Sequence, residues 1–172
     1  MGETEQSDFA ALALPLLRQL YNFAHWLSRD PHEAEDLVQE AYMRALKGFS
    51  SFQPGTNFRA WMFRILRNVF LTSRSGKMVH VPIEDEDEMF ADDKTPENAL
   101  MNATTRQQIQ HALERLPAQF REVILLCDVE EMKYREIAEL LDIPVGTVMS
   151  RLSRARRLLR GFLAEERIRM AP

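Results

Sequence analysis

Near the end of the sequence, arginines recur at spacings that suit one face of a helix. The stretch "LDIPVGTVMSRLSRARRLLR", residues 141–160, has Asp142 as its single acidic residue. Its arginines are Arg151, Arg154, Arg156, Arg157 and Arg160. Arginine binds phosphate and can donate two hydrogen bonds to guanine in the major groove. The stretch is therefore either a nucleic-acid-binding helix or an ordinary solvated helix face.

The residues around these arginines predict a helix-turn-helix. Ile137, Ala138 and Leu141 form the apolar face of a short helix. The tight connection 142–144 follows, with Ile143 filling the turn and Pro144 suited to the first turn of the next helix. That second helix has an apolar inner face made of Val148, Leu152, Ala155 and Leu159. An arginine-rich second helix of this motif has the form that enters a major groove.

The outer face of the second helix supplies the predicted DNA contacts. We expect the groove to be contacted by Thr147, Ser150, Arg151, Ser153 and Arg154. Arg157 and Arg160 are expected to meet phosphates or solvent. Met149 can touch a thymine methyl group but cannot donate hydrogen bonds to guanine.

The net charge of -4 over 172 residues does not oppose DNA binding, because the acidic excess is local. Residues 1–80 carry a net charge of +1, residues 81–110 of -6 and residues 111–172 of +1. The stretch 74–98 contains Gly76, Pro82 and Pro96 and a run of acidic residues from Glu84 to Glu88, which is typical of a linker. Thr95-Pro96-Glu97 then resembles a helix start.

The first half of the chain shows helical periodicity. An amphipathic segment runs from Leu12 to Leu27, and Asp30-Pro31 begins a helix that Gly48 ends. After the turn "SFQPGT", Thr56 or Asn57 caps a further helix. Its predicted apolar stripe is Phe58, Trp61, Met62, Ile65, Leu66, Val69 and Phe70. The sequence predicts an all-α protein with helical domains at 1–78 and 96–172 joined by an acidic linker at 79–95.

Composition gives no sign of an enzyme, a metal site or a secreted protein. The four histidines lie at no metal-ligand spacing, and a single cysteine excludes an internal disulfide. That cysteine, Cys127, lies in the apolar run "VILLCDV", where we expect a buried, inert thiol. The start "MGETEQSDFA" lacks a signal peptide, and no run of about 18 apolar residues occurs. We expect no cofactor, no membrane insertion and a cytoplasmic location.

These motifs resemble those of bacterial extracytoplasmic-function (ECF) sigma factors. The stretch "YREIAELLDIPVGTVMSRLSRARRLLR" resembles their region 4, which binds the minus-35 promoter element. The stretch "EAEDLVQEAYMRAL" resembles their region 2, which docks on the clamp of RNA polymerase, and "FQPGTNFRAWMFRILRN" resembles the segment that melts and reads the minus-10 element. Three features depart from the family pattern: the sparsely basic "NVFLTSRSGK", Met149 and the acidic linker.

The resemblance implies sites in both halves. The residues expected to contact core polymerase share one helical face and are Asp36, Gln39 and Glu40. Those expected to hold the minus-10 strand are Phe52, Asn57, Arg59, Arg64, Asn68, Arg74 and Lys77. Phe58 and Trp61 fit the core stripe better than base stacking. Phe52 is open to either role, because aromatic loop residues are often simple anchors.

The implied function is a transcription initiation factor that directs core RNA polymerase to promoters. Its implied partners are the polymerase beta-prime clamp and beta flap, promoter DNA and an anti-sigma factor, and its implied targets are stress-response genes. Two alternatives stay open: a sigma-like decoy that sequesters an anti-sigma factor, and a plain helix-turn-helix regulator. The acidic linker is either a solvated tether, or a segment that threads the polymerase near the RNA path, or one that shields the basic helices from random DNA.

Overall fold

The computed structural model describes residues 2–75 and 106–169, which form two compact units. Both units are built from helices and short connections, and no strand occurs within those ranges. The predicted all-α class is confirmed. Several predictions lie outside the described residues: the linker at 79–95, the helix start at Thr95-Pro96-Glu97, and Lys77.

The first unit contains four α-helices and two 3-10 turns. These elements are α1 (Glu3–Ala13), a 3-10 turn (Leu14–Leu16), α2 (Leu17–Ser28), α3 (Pro31–Gly48), a second 3-10 turn (Phe49–Ser51) and α4 (Phe58–Arg74). The prediction of one amphipathic segment from Leu12 to Leu27 was wrong at its start, because the chain leaves α1 at Ala13 and enters α2 only at Leu17. Pro15 accounts for the interruption, since it has no amide hydrogen and its ring hinders a continuous helix.

The predicted helix caps in this unit are confirmed. The Asp30 carboxylate accepts a hydrogen bond from the Glu33 amide at 2.9 Å, and Pro31 occupies the first turn of α3. This hydrogen bond lowers the pKa of Asp30, because it favours the charged carboxylate. The Asn57 side-chain oxygen accepts from the Ala60 amide at 3.0 Å, which makes Asn57 the cap of α4.

The core of the first unit lies between α2, α3 and α4. Phe23 of α2 is 2% exposed, and its ring centroid lies 5.3 Å from that of Phe63 on α4. Phe63 is fully buried although it lies outside the predicted stripe, because α4 packs against both α2 and α3. Met62, Leu66 and Val69 are buried as predicted. The remaining members of the stripe are only half-buried: Phe58, Trp61, Ile65 and Phe70.

The second unit begins with two helices and ends with the predicted helix-turn-helix. Its elements are α5 (Arg106–Arg115), α6 (Ala118–Ile124), a π-helical turn (Leu125–Val129), α7 (Tyr134–Leu141) and α8 (Val145–Arg169). Pro117 separates α5 from α6 as predicted, and the predicted apolar residues of this part are buried: Leu113, Leu116, Phe120, Val123 and Ile124. Pro144 was expected inside the first turn of α8. It lies just before that helix instead, and its carbonyl accepts from the Val148 amide at 3.2 Å.

A buried arginine closes the end of α5. Arg121 is 7% exposed, and its Nε donates to the Leu113 carbonyl at 2.9 Å. Its Nη2 donates to the carbonyls of Leu116 at 2.8 Å and Glu114 at 3.1 Å. The last carbonyls of a helix have no partner within the helix, and the guanidinium supplies donors for three of them.

The far end of the long helix α8 is held to α5 by an ion pair between Arg115 Nη2 and Glu165 Oε2, 2.5 Å apart. Glu166 is 4% exposed, and its Oε2 lies 3.3 Å from Arg169 Nη2 and 3.8 Å from His111 Nδ1. Arg115 of α5 also contacts this end of α8, with its guanidinium 4.1 Å from the centre of the Phe162 ring. The helix is thus anchored well beyond the helix-turn-helix.

Replacing Arg121 is expected to destabilise the second unit strongly. Arg121→Ala leaves three helix-end carbonyls without their donor, and we expect the free energy of unfolding to fall by about 3 kcal/mol. Arg121→Lys should recover only part of this, because an ammonium group cannot reproduce the planar arrangement of donors. Urea unfolding followed by circular dichroism measures both. A loss within about 0.5 kcal/mol for the alanine variant would contradict this role.

Cys127 is half-buried, not buried as the sequence suggested, because the π-helical turn carries it to the edge of the core. Burial and the neighbouring Asp128 raise the pKa of its thiol from 9.0 to about 11, whereas Arg156 acts in the opposite direction. Asp128 and Arg156 lie beside it, with Arg156 Nη2 3.7 Å from the Cys127 sulfur. A raised pKa keeps the thiol protonated, and only the thiolate is a good nucleophile. This environment is therefore consistent with the predicted unreactive thiol.

The reactivity of Cys127 should therefore rise steeply with pH. A pKa two units above the ordinary value lowers the thiolate fraction at pH 7 roughly a hundredfold. The labelling rate with a disulfide reagent, followed by absorbance from pH 7 to 10, should increase about tenfold per pH unit without levelling off. A rate that reaches its plateau near pH 9 would show that the thiol is not shifted.

Candidate nucleic-acid interface

The turn of the helix-turn-helix is fixed by a left-handed residue. Asp142 has φ 56° and ψ 49°, and its amide donates to the Ala138 carbonyl, which ends α7. The Ile143 amide donates to the same carbonyl at 3.1 Å. Aspartate tolerates this backbone conformation better than most residues, because its short polar side chain can bond locally. Ile143 is half-buried beneath the connection, as predicted.

Helix α8 packs against the rest of the second unit through its predicted inner face. Val148, Leu152 and Ala155 are at most 1% exposed, whereas Leu159, one turn further along, is half-buried. These residues contact α6 and α7, so the face of α8 that carries Ser150, Arg154 and Arg157 points away from the domain. The predicted helix-turn-helix has therefore formed with its arginine-bearing face outward.

The predicted minus-35 contacts differ in exposure. Met149 is 54% exposed and Arg157 is exposed. The others are half-buried on α8: Thr147, Ser150, Arg151, Ser153 and Arg154. The Ser150 hydroxyl donates to the Thr147 carbonyl at 3.1 Å, and the Nε of Arg151 is buried without a hydrogen-bond partner. These seven residues cover the outer face and both flanks of α8.

Arg156 is the arginine of this cluster that faces the domain. Its Nη2 lies 2.7 Å from Asp128 Oδ1, and its Nε lies 3.3 Å from Asp128 Oδ2. The hydrogen bonds that Arg156 donates to the Asp128 carboxylate raise the pKa of Arg156. Sequence reasoning gave Arg156 no distinct role, because its partner lies 28 residues earlier in the chain. The sequence signal for an inward-facing Arg156 is its position directly after the inner-face residue Ala155.

The predicted polymerase-binding residues share an exposed face of α3. Asp36 and Gln39 are exposed, and Glu40 is half-buried. The Glu40 carboxylate accepts from Arg44 Nε at 2.6 Å, so part of its charge is compensated within the helix. Met43, which is 54% exposed, extends this face by one turn and was not predicted. Together, Asp36, Gln39, Glu40 and Met43 form what we call the α3 face.

The loop before α4, residues 52–57, is ordered by its own contacts. The Phe52 ring lies 5.2 Å from both the Phe58 and Trp61 rings, measured between centroids. The Thr56 hydroxyl donates to the Gln53 carbonyl at 2.7 Å, and Gly55 has a φ of 87° that suits glycine. Phe52 is thus an anchor for the loop, and residues 53–57 form its exposed surface.

The predicted minus-10 residues of α4 fall into two groups. Arg59 donates to Gln19 Oε1 at 2.9 Å, and Arg74 pairs with Glu33 at 2.8 Å, so both hold α4 to neighbouring helices. Arg64 and Asn68, four residues apart, are exposed on one face of α4. Asn57, Arg64 and Asn68 are therefore exposed at the start and along one face of α4. Arg59 and Arg74 instead bond to side chains of neighbouring helices.

In the ranges that the structure describes, no group of histidine, cysteine and acidic side chains is arranged to hold a metal ion. Across the same residues, none of the helices combines the length and apolar character needed to cross a membrane.

Comparison with known proteins places both units in one family. Residues 12–77 match the sigma-70 region 2 family, and residues 106–159 match sigma-70 region 4. The ECF sigma factor SigW of Bacillus subtilis is 31% identical over 171 residues, with 94% of this chain and 91% of SigW covered. EcfG of Rhodopseudomonas palustris is 36% identical, with 91% and 83% covered. SigE of Mycolicibacterium smegmatis is 40% identical over 86% of this chain, which spans 58% of the SigE length.

A solved structure agrees with these sequence matches. The sigma factor RpoE of Bartonella quintana, crystallised with the anti-sigma factor NepR, superposes with a TM-score of 0.72 at 34% identity. The superposition covers 91% of this chain and 97% of that one. Both halves of the chain, and their order, agree with the resemblance first seen in the motifs. The chain belongs to the ECF sigma factors of the sigma-70 family, which are transcription initiation factors and not enzymes.

Proposed function

We propose that this chain binds core RNA polymerase in the cytoplasm and directs it to start transcription at promoters with two separate recognition elements. In this proposal, residues 1–78 contact the polymerase and the minus-10 element, residues 96–172 bind the minus-35 element, and residues 79–95 join them. The observation that carries the proposal is the outward, arginine-bearing face of α8, in a chain whose other unit matches region 2. A plain helix-turn-helix regulator would have no use for that first unit.

The minus-35 element would lie against the outer face of α8. The outer face presents serines and arginines, which can donate to base edges and phosphates. The proposed contacts are Thr147, Met149, Ser150, Arg151, Ser153, Arg154 and Arg157. Met149 would contact a thymine methyl group, since its exposed side chain cannot donate a hydrogen bond.

The minus-10 strand would meet the exposed surface of loop 52–57 and the exposed face of α4. Asn57, Arg64 and Asn68 are the proposed direct contacts among the described residues, since a strand needs polar and positive groups along its backbone. Arg59 and Arg74 contribute positive charge nearby while holding α4 to its neighbours. Phe52 shapes the loop rather than stacking on a base.

Core polymerase would bind the α3 face. Asp36 and Gln39 supply exposed polar contacts, and Met43 supplies an apolar one at the same surface. A small acidic and apolar surface suits a basic partner, because the charges steer association while the apolar group adds buried area. We propose the beta-prime clamp as this partner and the beta flap as the partner of the second unit.

An anti-sigma factor is proposed as the regulator. The support is the Bartonella quintana sigma factor RpoE, which was crystallised in complex with the anti-sigma factor NepR. Release of this chain from such an inhibitor would start a stress response.

Transcription in vitro tests the proposed function. Core polymerase that lacks sigma factors is incubated with this protein and fragmented genomic DNA, and the transcript ends are sequenced. A shared pair of motifs upstream of the starts is expected. Asp36→Arg together with Met43→Asp should abolish both polymerase binding and transcripts, whereas Glu3→Arg, the same charge reversal at an exposed position of α1, is the matched control. Specific DNA binding without transcripts would identify a plain regulator, and binding of an anti-sigma factor alone would identify a decoy.

Two adjacent arginines of α8 should affect DNA binding differently. Arg157→Ala is expected to reduce the slope of log affinity against log salt concentration by about 1, because one phosphate contact is lost. Arg156→Ala should leave this slope unchanged, because its guanidinium is paired with Asp128. Anisotropy of a labelled minus-35 duplex bound to the polymerase complex measures both. Equal changes in slope for the two variants would contradict the assignment of their roles.

A further inference from the structure

Five aromatic rings connect the N-terminal helix to the loop before α4. The Phe9 ring of α1 lies 5.4 Å from Phe49 and 6.2 Å from Phe58, between centroids. Phe49 lies 6.1 Å from Phe52, and Phe58 lies 5.5 Å from Trp61. Phe52 closes the cluster through its contacts of 5.2 Å with Phe58 and Trp61. We call these five residues the aromatic cluster: Phe9, Phe49, Phe52, Phe58 and Trp61.

Helix α1 is fixed in place at this cluster. Phe9 is 6% exposed and Ala13 is fully buried, whereas the acidic residues Glu3 and Asp8 of the same helix are exposed. At the end of α1, the Tyr42 hydroxyl of α3 donates to the Ala13 carbonyl at 2.6 Å, and the Tyr42 ring meets Phe9 edge-on. Phe9 is therefore the large side chain through which α1 packs against the rest of the first unit.

The position of loop 52–57 depends on the cluster. The loop enters from the 3-10 turn at Phe49, where the Phe52 amide donates to the Phe49 carbonyl at 2.9 Å. It leaves into α4 at Phe58. Both ends of the loop are thus attached to rings that Phe9 contacts directly, while Phe9 itself is distant in sequence and presents no surface to a strand of DNA.

We propose that Phe9 is a positioning residue for base recognition in the minus-10 strand, acting through Phe49 and Phe58 on loop 52–57. The inference rests on the proposed function and adds to it that α1 supports the loop that meets the strand. Removing the Phe9 ring would leave a cavity beside Phe49 and Phe58, and these rings would move to fill part of it. The loop would follow, and small displacements at a recognition surface cause large losses in binding.

A merely structural role for Phe9 makes a different prediction, and Phe23 provides the comparison. Phe23 is buried to a similar degree in the same unit, but its ring contact is with Phe63, which is not a member of the aromatic cluster. If Phe9 only stabilises the unit, then Phe9→Leu and Phe23→Leu should have the same consequences. If it positions the loop, base discrimination should suffer only in the Phe9 variants.

The test uses single-stranded oligonucleotides bound to the complex of core polymerase and this protein. One oligonucleotide carries the minus-10 sequence found by mapping transcript starts, and the other carries the same length with its minus-10 bases replaced. The ratio of the two affinities is measured for the wild type, Phe9→Ala, Phe9→Leu, Phe23→Leu and Phe23→Ala. Polymerase binding and affinity for a minus-35 duplex are measured alongside.

We expect Phe9→Ala to lower the affinity ratio on the order of tenfold and Phe9→Leu to lower it less, with polymerase and minus-35 binding unchanged. The Phe23 variants should keep the wild-type ratio. An unchanged ratio in Phe9→Ala, or an equal loss in Phe23→Ala, would overturn the inference. A wild-type complex that does not distinguish the two oligonucleotides would instead overturn the proposed function, and with it this role for Phe9.

Discussion

The burial of one face of α8 is the constraint on which the rest of the structure depends. Val148, Leu152 and Ala155 are almost completely removed from solvent, and their contacts with α6 and α7 fix which side of the helix faces outward. Without this buried face, α8 would have no preferred orientation relative to its neighbours, because its arginines are solvated equally well on any side. The turn at Asp142 sets where the helix begins, and the ion pair between Arg115 and Glu165 holds its far end to α5. The outer face can therefore meet DNA in a single, preformed arrangement.

Positive side chains in this chain serve two purposes that their sequence positions do not separate. Arg121 and Arg156 bond to carbonyls or to a carboxylate within the second unit, and Arg74 does so in the first. Each of them fixes one helix against another. These three arginines stabilise the surfaces on which other arginines, such as Arg64 and Arg157, are exposed. The acidic excess lies within residues 81–110, so a chain with a net charge of -4 can still carry a basic face on α8.

Local patterns predicted much of this fold, and non-local contacts account for the remainder. The caps at Asp30 and Asn57, the end of α3 at Gly48 and the inner face of α8 follow from residue type and spacing within a few turns. Helix α1 was not predicted, because Phe9 and Ala13 are buried through contacts with α3 and the turn that follows it, and not through a periodic pattern within α1. The same holds for the inward Arg156, and the two roles that the sequence left open for Phe52 could not be separated without its contacts with Phe58 and Trp61. Their partners lie far away in sequence or in another element, where periodicity carries no information.

The central claim is that two units of one chain recognise two promoter elements and open the DNA at one of them. Permanganate oxidation of unpaired thymines, performed with nuclease footprinting on a double-stranded promoter, tests this claim most directly. With core polymerase and this protein together, we predict protection at the minus-35 element and reactive thymines at the minus-10 element, and neither signal with polymerase alone. Protection at minus-35 without any reactive thymine would contradict the account, because the chain would then bind promoters without opening them.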